Sequence, residues 1–525
     1  MTRIGMQICP RRTVALLAVV LAACGALPER VDEQQSHALP QSRDSPLSRI
    51  AQESAPSASL TGFRLMPLAS YSLDARIELV RRARHSLDIQ YYLIQNDRSG
   101  RLLTRSVRDA ALRGVRVRLL VDDLNTVGGD SMFHGLAAFP NVEVRLFNPF
   151  CCARQSVASR FAASMADFRR LNHRMHNKLL IADGAIAVMG GRNIADEYFA
   201  RSAKNNFVDM DVLVVGAVVP QLAAIFDTYW NSRQAYPVDI VLGELPDANE
   251  ARKNFDHLVD DGEQMMSVTV PPEDMLGRTP IGRDLDARRL DLVWGSAVAL
   301  ADQPQKVTAT SVEAARAMSV HMNIMDRVAE SKREVVISSP YFVPGETGVE
   351  TFGEITKRGV KVVVLTNSFA ANDVPLAHVG YARYRVPLLR IGVELYELSA
   401  SNVQSNELAI FPSTSLGRLH AKAAVIDKSM VYIGSMNLDP RSDGTNTELG
   451  IVAQCPELAR DVIRAIDISR LQSSYQLRFG PDGQSLEWLV MGDRSGVVLE
   501  SEPEVTPFTQ LRTIFLAPFV PEQLL

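Results

Sequence analysis

The order of apolar and polar positions repeats once along this chain. Residues 86–94 form an apolar run of β type, a helical stretch closes at Arg113-Gly114, and residues 115–121 and 142–147 are further strand-like runs. The same order returns at residues 334–342, at a helical stretch closing at Arg358-Gly359, and at residues 360–365 and 392–396. Strands that alternate with helices predict βαβ units around a mainly parallel sheet. Self-similarity on this scale marks a duplicated unit. The expected fold is α/β, with two homologous α/β/α domains in a pseudo-twofold arrangement, residues 61–235 and 311–525. Residues 236–310 are rich in Asp, Arg and Pro, are weakly periodic, and are expected to be an insertion or connector.

The N-terminus follows another pattern. Arg3, Arg11 and Arg12 lead into a mostly apolar run at residues 13–23. A bilayer span needs roughly 20 apolar residues, so the run predicts an export signal instead. It closes in Leu21-Ala22-Ala23-Cys24, small residues before a cysteine, which resembles a bacterial lipobox. Cys24 is then the expected lipidation site after removal of residues 1–23. Gly25 behind it, in place of Asp, implies the periplasmic face of the outer membrane. A plain signal peptide with an incidental Cys24 is the alternative. Residues 24–60, rich in Ser, Gln, Pro and Glu, predict a flexible tether. Residues 507–525 are apolar but broken by Pro518 and Pro521, and are expected either on a membrane surface or against the core.

Composition narrows the partners. Without residues 1–23, 53 basic residues face 60 acidic ones, a net charge of about −7. An acidic chain argues against a nucleic-acid partner, while leaving room for a local basic pocket. Cys151, Cys152 and Cys455 remain beyond the anchor region. An odd set is no disulfide framework and is read as core packing, with one bridge the alternative in an exported chain.

Chemistry enters with a motif that both halves carry. The first half has His176-Asn177-Lys178, Asp183, Gly190-Gly191 and Asn193; the second has His420-Ala421-Lys422, Asp427, Gly434-Ser435 and Asn437. Each position is separated from its counterpart by 244 residues. Composition alone gives roughly 0.1 chance matches to one such His, basic and acidic spacing. Two copies, each in the matching place of a repeat, are therefore not accidental. His and Lys two positions apart on a strand share a face, so all four are expected to reach one cavity. Asp183-Gly184 predicts a hairpin turn. Gly190-Gly191 lets backbone approach a ligand and brings Asn193 near it.

Two His, two Lys and two Asn around a phosphate suit phosphodiester chemistry without metal or cofactor. A neutral imidazole attacks phosphorus and forms a phosphohistidine. A second, protonated His donates to the leaving oxygen and then deprotonates the acceptor. Lys and Asn stabilise charge on the equatorial oxygens. The symmetry leaves open which His takes which role.

The paired motif resembles the phospholipase D superfamily signature, over roughly residues 62–525. Met175-His176-Asn177-Lys178, Gly190-Gly191-Arg192-Asn193 and Asp196-Glu197-Tyr198-Phe199 resemble the bacterial cardiolipin synthase branch. Gly380-Tyr381-Ala382-Arg383-Tyr384-Arg385 and residues 519–525 do so too. The lack of N-terminal membrane helices fits its type C form. The resemblance implies that a phospholipid donor loses its head group to the enzyme at a membrane surface and that phosphatidylglycerol accepts. It implies His176 as nucleophile and His420 as acid and base. Asp183 and Asp427 complete the catalytic motifs and are expected to brace them more than to touch substrate. An acid downstream of each motif is expected to orient that motif's own His, Asp211 for His176 and Glu448 for His420. Asn193, Asn437 and Ser435 are expected to bind substrate, with Gly191 standing where a second hydroxyl would be. His378, His173, Asn125 and Arg441 are further pocket candidates. Two alternatives remain: a phospholipid or nucleic-acid hydrolase of the same superfamily, and a non-catalytic lipid-binding lipoprotein, against which both intact motifs speak.

Overall fold

Branched and aromatic residues at alternate positions of the repeat enter strands covered on both faces. The computed structural model describes residues 35–506, apart from 155, 157, 161–167, 245–246, 261–269, 310, 406–414 and 493–495. The first half holds β1 (Thr61–Met66), β2 (Ser86–Tyr91), β3 (Arg116–Asp122), β4 (Val142–Phe147), β5 (Lys178–Ala182), β6 (Ile186–Gly190), β7 (Asn205–Val208), β8 (Asp211–Gly216) and β9 (Ala235–Pro237). The second holds β10 (Val293–Ala301), β11 (Glu334–Ser338), β12 (Lys361–Asn367), β13 (Glu394–Leu398), β14 (Leu416–Leu419), β15 (Ala423–Ile426), β16 (Met430–Gly434), β17 (Leu449–Gln454), β18 (Ser474–Phe479), β19 (Leu486–Val490) and β20 (Val498–Leu499).

Strands β2, β3 and β4 pair in parallel, and β5, β6 and β8 extend the sheet antiparallel from β2. The second half repeats this with β11, β12 and β13 in parallel and β15, β16 and β17 antiparallel. β1 closes the first set beside β8, β10 closes the second beside β17, and β1 pairs with β10. The two halves thereby share one 18-stranded sheet.

Three apolar cores follow from this doubled arrangement. Helices Ala69–Arg82 and Arg98–Leu112 cover the outer face of the first half, burying Leu73, Ile77, Leu102 and Leu103 with Leu87 and Ile89. Helices Val320–Ala329 and Gly345–Lys357 do the same for the second, with Ile324, Phe352 and Ile355. The middle core is common to both halves. It joins Phe226 and Trp230 of helix Val219–Trp230 to Leu458, Val462 and Ile466 of helix Pro456–Gln472. The motif strands contribute Leu179 and Ile181 from one side and Ala423 and Val425 from the other.

Three expectations change. β10 lies inside residues 236–310, so that stretch is not only a connector: it holds the counterpart of β1 and the seam between the halves. Its apolar residues Val293, Trp294, Val298 and Leu300 were obscured by the Asp-, Arg- and Pro-rich residues around them. The stretch from residue 35 to 60 is not a loose tether. Ser45 caps a helix, Pro46–Ser54, with Pro at its first position, and the helix buries Leu47, Ile50 and Ala51. Burying a Leu or Ile contributes roughly 1.5–3 kcal/mol each, enough to hold a nine-residue helix in place. Cys455 is buried, but Cys151 and Cys152 are half-exposed thiols in the loop after β4, not core residues. Cys24 and residues 507–525 lie outside the described residues. No described helix is long and apolar enough to cross a membrane.

Candidate active site

Each His-x-Lys segment is seated on the opposite half of the molecule. The His176 N–H donates to the Thr447 carbonyl at 2.8 Å, and the Thr447 N–H returns to Arg174 at 2.9 Å. The His420 N–H donates to the Val208 carbonyl at 2.7 Å. β7 and β14 add a short parallel pairing across the same seam. The lysines follow on β5 and next to β15: Lys178 Nζ donates to the His176 carbonyl at 2.6 Å, and Lys422 Nζ to the His420 carbonyl. Each hairpin turns at a left-handed Asp, Asp183 at φ 52° and Asp427 at φ 53°, a conformation that Asp tolerates. Asp183 accepts the backbone N–H groups of Arg84, His85 and Ser86, and Asp427 those of Lys332, Arg333 and Glu334. These carboxylates lie at the far end of the hairpin from the histidines. They fix the motif strand to its neighbour.

The crossing decides which acid serves which His, and two expectations are corrected. Glu448 holds His176, not His420: Nδ1 lies 3.0 Å from Glu448 Oε2 and 3.1 Å from the Ser435 carbonyl. Asp209, not Asp211, holds the other ring, with His420 Nδ1 at 2.6 Å from Asp209 Oδ2. Asp211 is consumed elsewhere, by Arg76 at 3.0 Å, by Arg192 and by the Ser72 hydroxyl. The register contained the signal for this. Gly190 pairs with Asp211 where Gly434 pairs with Gly450, so the acid two residues earlier, Asp209, is the counterpart of Glu448. The constant 244-residue offset hid it, because Asn193 to Asp209 is five residues longer than Asn437 to Glu448.

The Gly191 and Ser435 difference has the same origin. A Cβ at Gly191 would lie 2.2 Å from Asp209 Oδ1, so the shorter acid occupies the space of a side chain. In the second half Ser435 donates instead to Glu448, which also accepts the Ser442 hydroxyl at 3.0 Å. Ser435 thus binds the orienting acid. Asn193 donates to the Tyr198 hydroxyl at 2.9 Å, and the amide oxygens of Asn193 and Asn437 are buried with no partner.

Aromatic rings that sequence reasoning did not single out wall the site. Tyr92 stands edge-on to His176 at 5.1 Å and under Lys178 at 5.3 Å; Tyr198 and Phe207 flank His420 at 5.1 and 4.9 Å. A buried layer then positions the acids. Asp302 accepts the Glu448 N–H at 3.0 Å and pairs with Lys306 at 2.7 Å, while Arg192 donates to the Asp209 carbonyl. Of the other pocket candidates, Arg441 bonds Asn172 at 3.1 Å, and His378 joins an Arg385 and Glu502 cluster.

The electrostatics follow from burial, since His176 and His420 are only 8% and 5% exposed. Burial, opposed by Glu448 and aided by Lys178, pushes His176 down to about 4. Burial and Lys422 push His420 down as well. Both imidazoles rest neutral. Their Nδ1 neighbours are carbonyl and carboxylate oxygens, which only accept, so Nδ1 carries the proton and Nε2 presents its lone pair. Burial also lowers Lys178 far below its ordinary value and Lys422 to about 8.

A family model described as cardiolipin synthase, phospholipase D-like domain, matches residues 77–230 and 324–468. The chain is 38% identical over 466 residues to cardiolipin synthase C of Escherichia coli K12, across 87% of this chain and 95% of that protein. The chain belongs to the cardiolipin synthase family of the phospholipase D superfamily. A cardiolipin synthase of Staphylococcus aureus Mu50 is 24% identical over 395 residues, across 75% of this chain and 64% of its own length. The crystal structure of phosphatidylserine synthase from Haemophilus influenzae Rd KW20 superposes with a TM-score of 0.54 at 14% identity, over 91% of this chain and all of that one. That likeness is one of fold. Membership makes the chain a phospholipid phosphatidyltransferase of this superfamily.

For such a cardiolipin synthase family enzyme, the buried His176 sets a pH limit. If neutral His176 is needed, kcat/KM rises with pH through about 4, where free His176 loses its proton. An ordinary imidazole would place that limb near 6.5. A pH profile with its acid limb at 6 to 7 would refute His176 as the buried, neutral group that sets the limb.

Proposed function

We propose that this enzyme makes cardiolipin, moving a phosphatidyl group from a phospholipid donor to phosphatidylglycerol through a phosphohistidine on His176. The observation that carries the reading is the pair of imidazoles, each tied at Nδ1 to a buried carboxylate from the other half. His176 Nε2 attacks phosphorus and the bond to the head-group oxygen breaks. His420, protonated as the anionic phosphodiester enters beside it, gives its Nε2 proton to that oxygen. His420 then takes the proton of the phosphatidylglycerol hydroxyl, whose oxygen attacks phosphorus and releases His176. Lys178 and Lys422 offset the charge on the non-bridging oxygens, with Asn193 and Asn437 beside them.

Phospholipid substrates support a reaction at a membrane surface. Export, lipidation at Cys24 and residence on the periplasmic face of the outer membrane complete the proposal, supported by Leu21-Ala22-Ala23-Cys24. With Cys24→Ala the chain is expected in the soluble fraction after salt washing; a variant that still sediments with membranes would end the anchor proposal.

The function itself is tested by incubating the full chain with vesicles of defined donor lipid and phosphatidylglycerol and identifying products by mass spectrometry. Cardiolipin together with free head group is expected. Phosphatidic acid as the sole product would favour the hydrolase alternative, since water and an alcohol attack the same intermediate.

A further inference from the structure

We propose that Cys151 and Cys152 form a redox modification site, closing to a vicinal disulfide by exchange with a small-molecule or protein disulfide. Adjacent side chains on an extended chain point apart. Here the turn after β4 brings the two Sγ atoms to 2.7 Å, and both residues are half-exposed. Left-handed residues bracket the pair, Asn148 at φ 49° and Ala153 at φ 52°. Each side of the turn is fixed. The Asn148 amide donates to the Arg170 and His173 carbonyls at 2.9 and 2.7 Å. Arg154 spans Asp123 and Asp130 with contacts of 2.5 to 2.8 Å. The Phe150 N–H donates to Asp123 at 2.8 Å. Two thiols held together this way have a high effective concentration for each other.

The steps balance. One thiol loses its proton to solvent, and the thiolate attacks a donor disulfide, releasing one thiolate and leaving a mixed disulfide. The neighbouring thiol, deprotonated in turn, attacks the protein-side sulfur and releases the second thiolate. Two protein thiols are oxidised by two electrons and one donor disulfide is reduced to two thiols. The third described cysteine does not compete, because Cys455 is buried with its sulfur 3.5 Å from the Trp294 carbonyl. The ring also differs from a structural staple. Adjacent Cα atoms lie about 3.8 Å apart, shorter than the usual range of about 4.4–6.8 Å for disulfides, so the product is strained and reducible. The site therefore suits reversible oxidation.

Trypsin provides a direct reading, since residues 146–154 form one peptide with both thiols and no other cysteine. The folded full chain is exposed to oxidised glutathione, alkylated in denaturant, and digested. The expected peptide is lighter than the reduced form by two hydrogens, carries no alkyl group, and regains both thiols on mild reduction. In Cys152→Ser the peptide is expected to retain glutathione on Cys151 instead. A wild-type peptide that keeps glutathione, stays doubly alkylated, or is joined to Cys455 would overturn the proposal. The wild-type result decides even if the variant misfolds, and it does not depend on the proposed reaction.

Discussion

Either single change, His176→Ala or His420→Ala, is expected to lower phosphatidyl transfer by about 10⁴-fold or more, and the double change to be scarcely worse. In the proposed reaction, nucleophile and proton donor are needed in the same turnover. The crossed seating of the motifs, with His176 bonded to Thr447 and His420 to Val208, ties each histidine to the other half and supports one shared site. The proposed covalent step adds an asymmetry. With a labelled donor whose leaving group needs no proton, His420→Asn is expected to accumulate labelled protein, and His176→Asn to accumulate none. Two independent sites would leave about half the activity in each single variant. Label trapped in the His176 variant alone would reverse the assignment of roles.

The second large effect concerns the acids. Glu448→Gln and Asp209→Asn are each expected to lower kcat by about 10³- to 10⁴-fold with little change in KM. The amide keeps the shape but presents N–H to His Nδ1 in one of its two orientations, which turns the tautomer and removes the Nε2 lone pair. Glu448→Gln is expected to cost more for formation of the phosphohistidine, because it touches His176. Asp209→Asn acts on the partner ring, so a slow leaving group suffers more than a good one. Asp211→Asn separates positioning from packing. It sits among Arg76 and Arg192, so its main expected loss is in thermal stability. Equal kinetic losses for Asp211→Asn and Asp209→Asn would contradict the assignment of the acids.

Much of the molecule was legible in the chain. The periodic runs gave β2 to β4 and β11 to β13, because branched and aromatic residues recurring along short runs mark strands with a buried face. The 244-residue offset gave the motif residues, since side chains that touch one phosphate must keep their spacing. Sequence spacing did not give the acids, for two physical reasons. Hydrogen bonds between the halves are not local, so nothing near Glu448 says that its partner is His176. A five-residue difference in loop length also broke the offset before Asp209. β10 and the helix Pro46–Ser54 were hidden by composition. The Asp-, Arg- and Pro-rich surroundings of β10 masked its apolar run, and only three buried apolar side chains hold the helix.

The exchange of acids across the seam has a consequence for how the enzyme comes into being. Glu448 lies 272 residues beyond the histidine it serves, and neither half carries the carboxylate that its own histidine needs. A growing chain that has folded its first half alone holds His176 with an unrestrained ring and no activated nitrogen. Activity therefore switches on only when the last motif strand docks, late in synthesis. One copy of this unit alone would hold a histidine without its acid, so such a site needs two copies together.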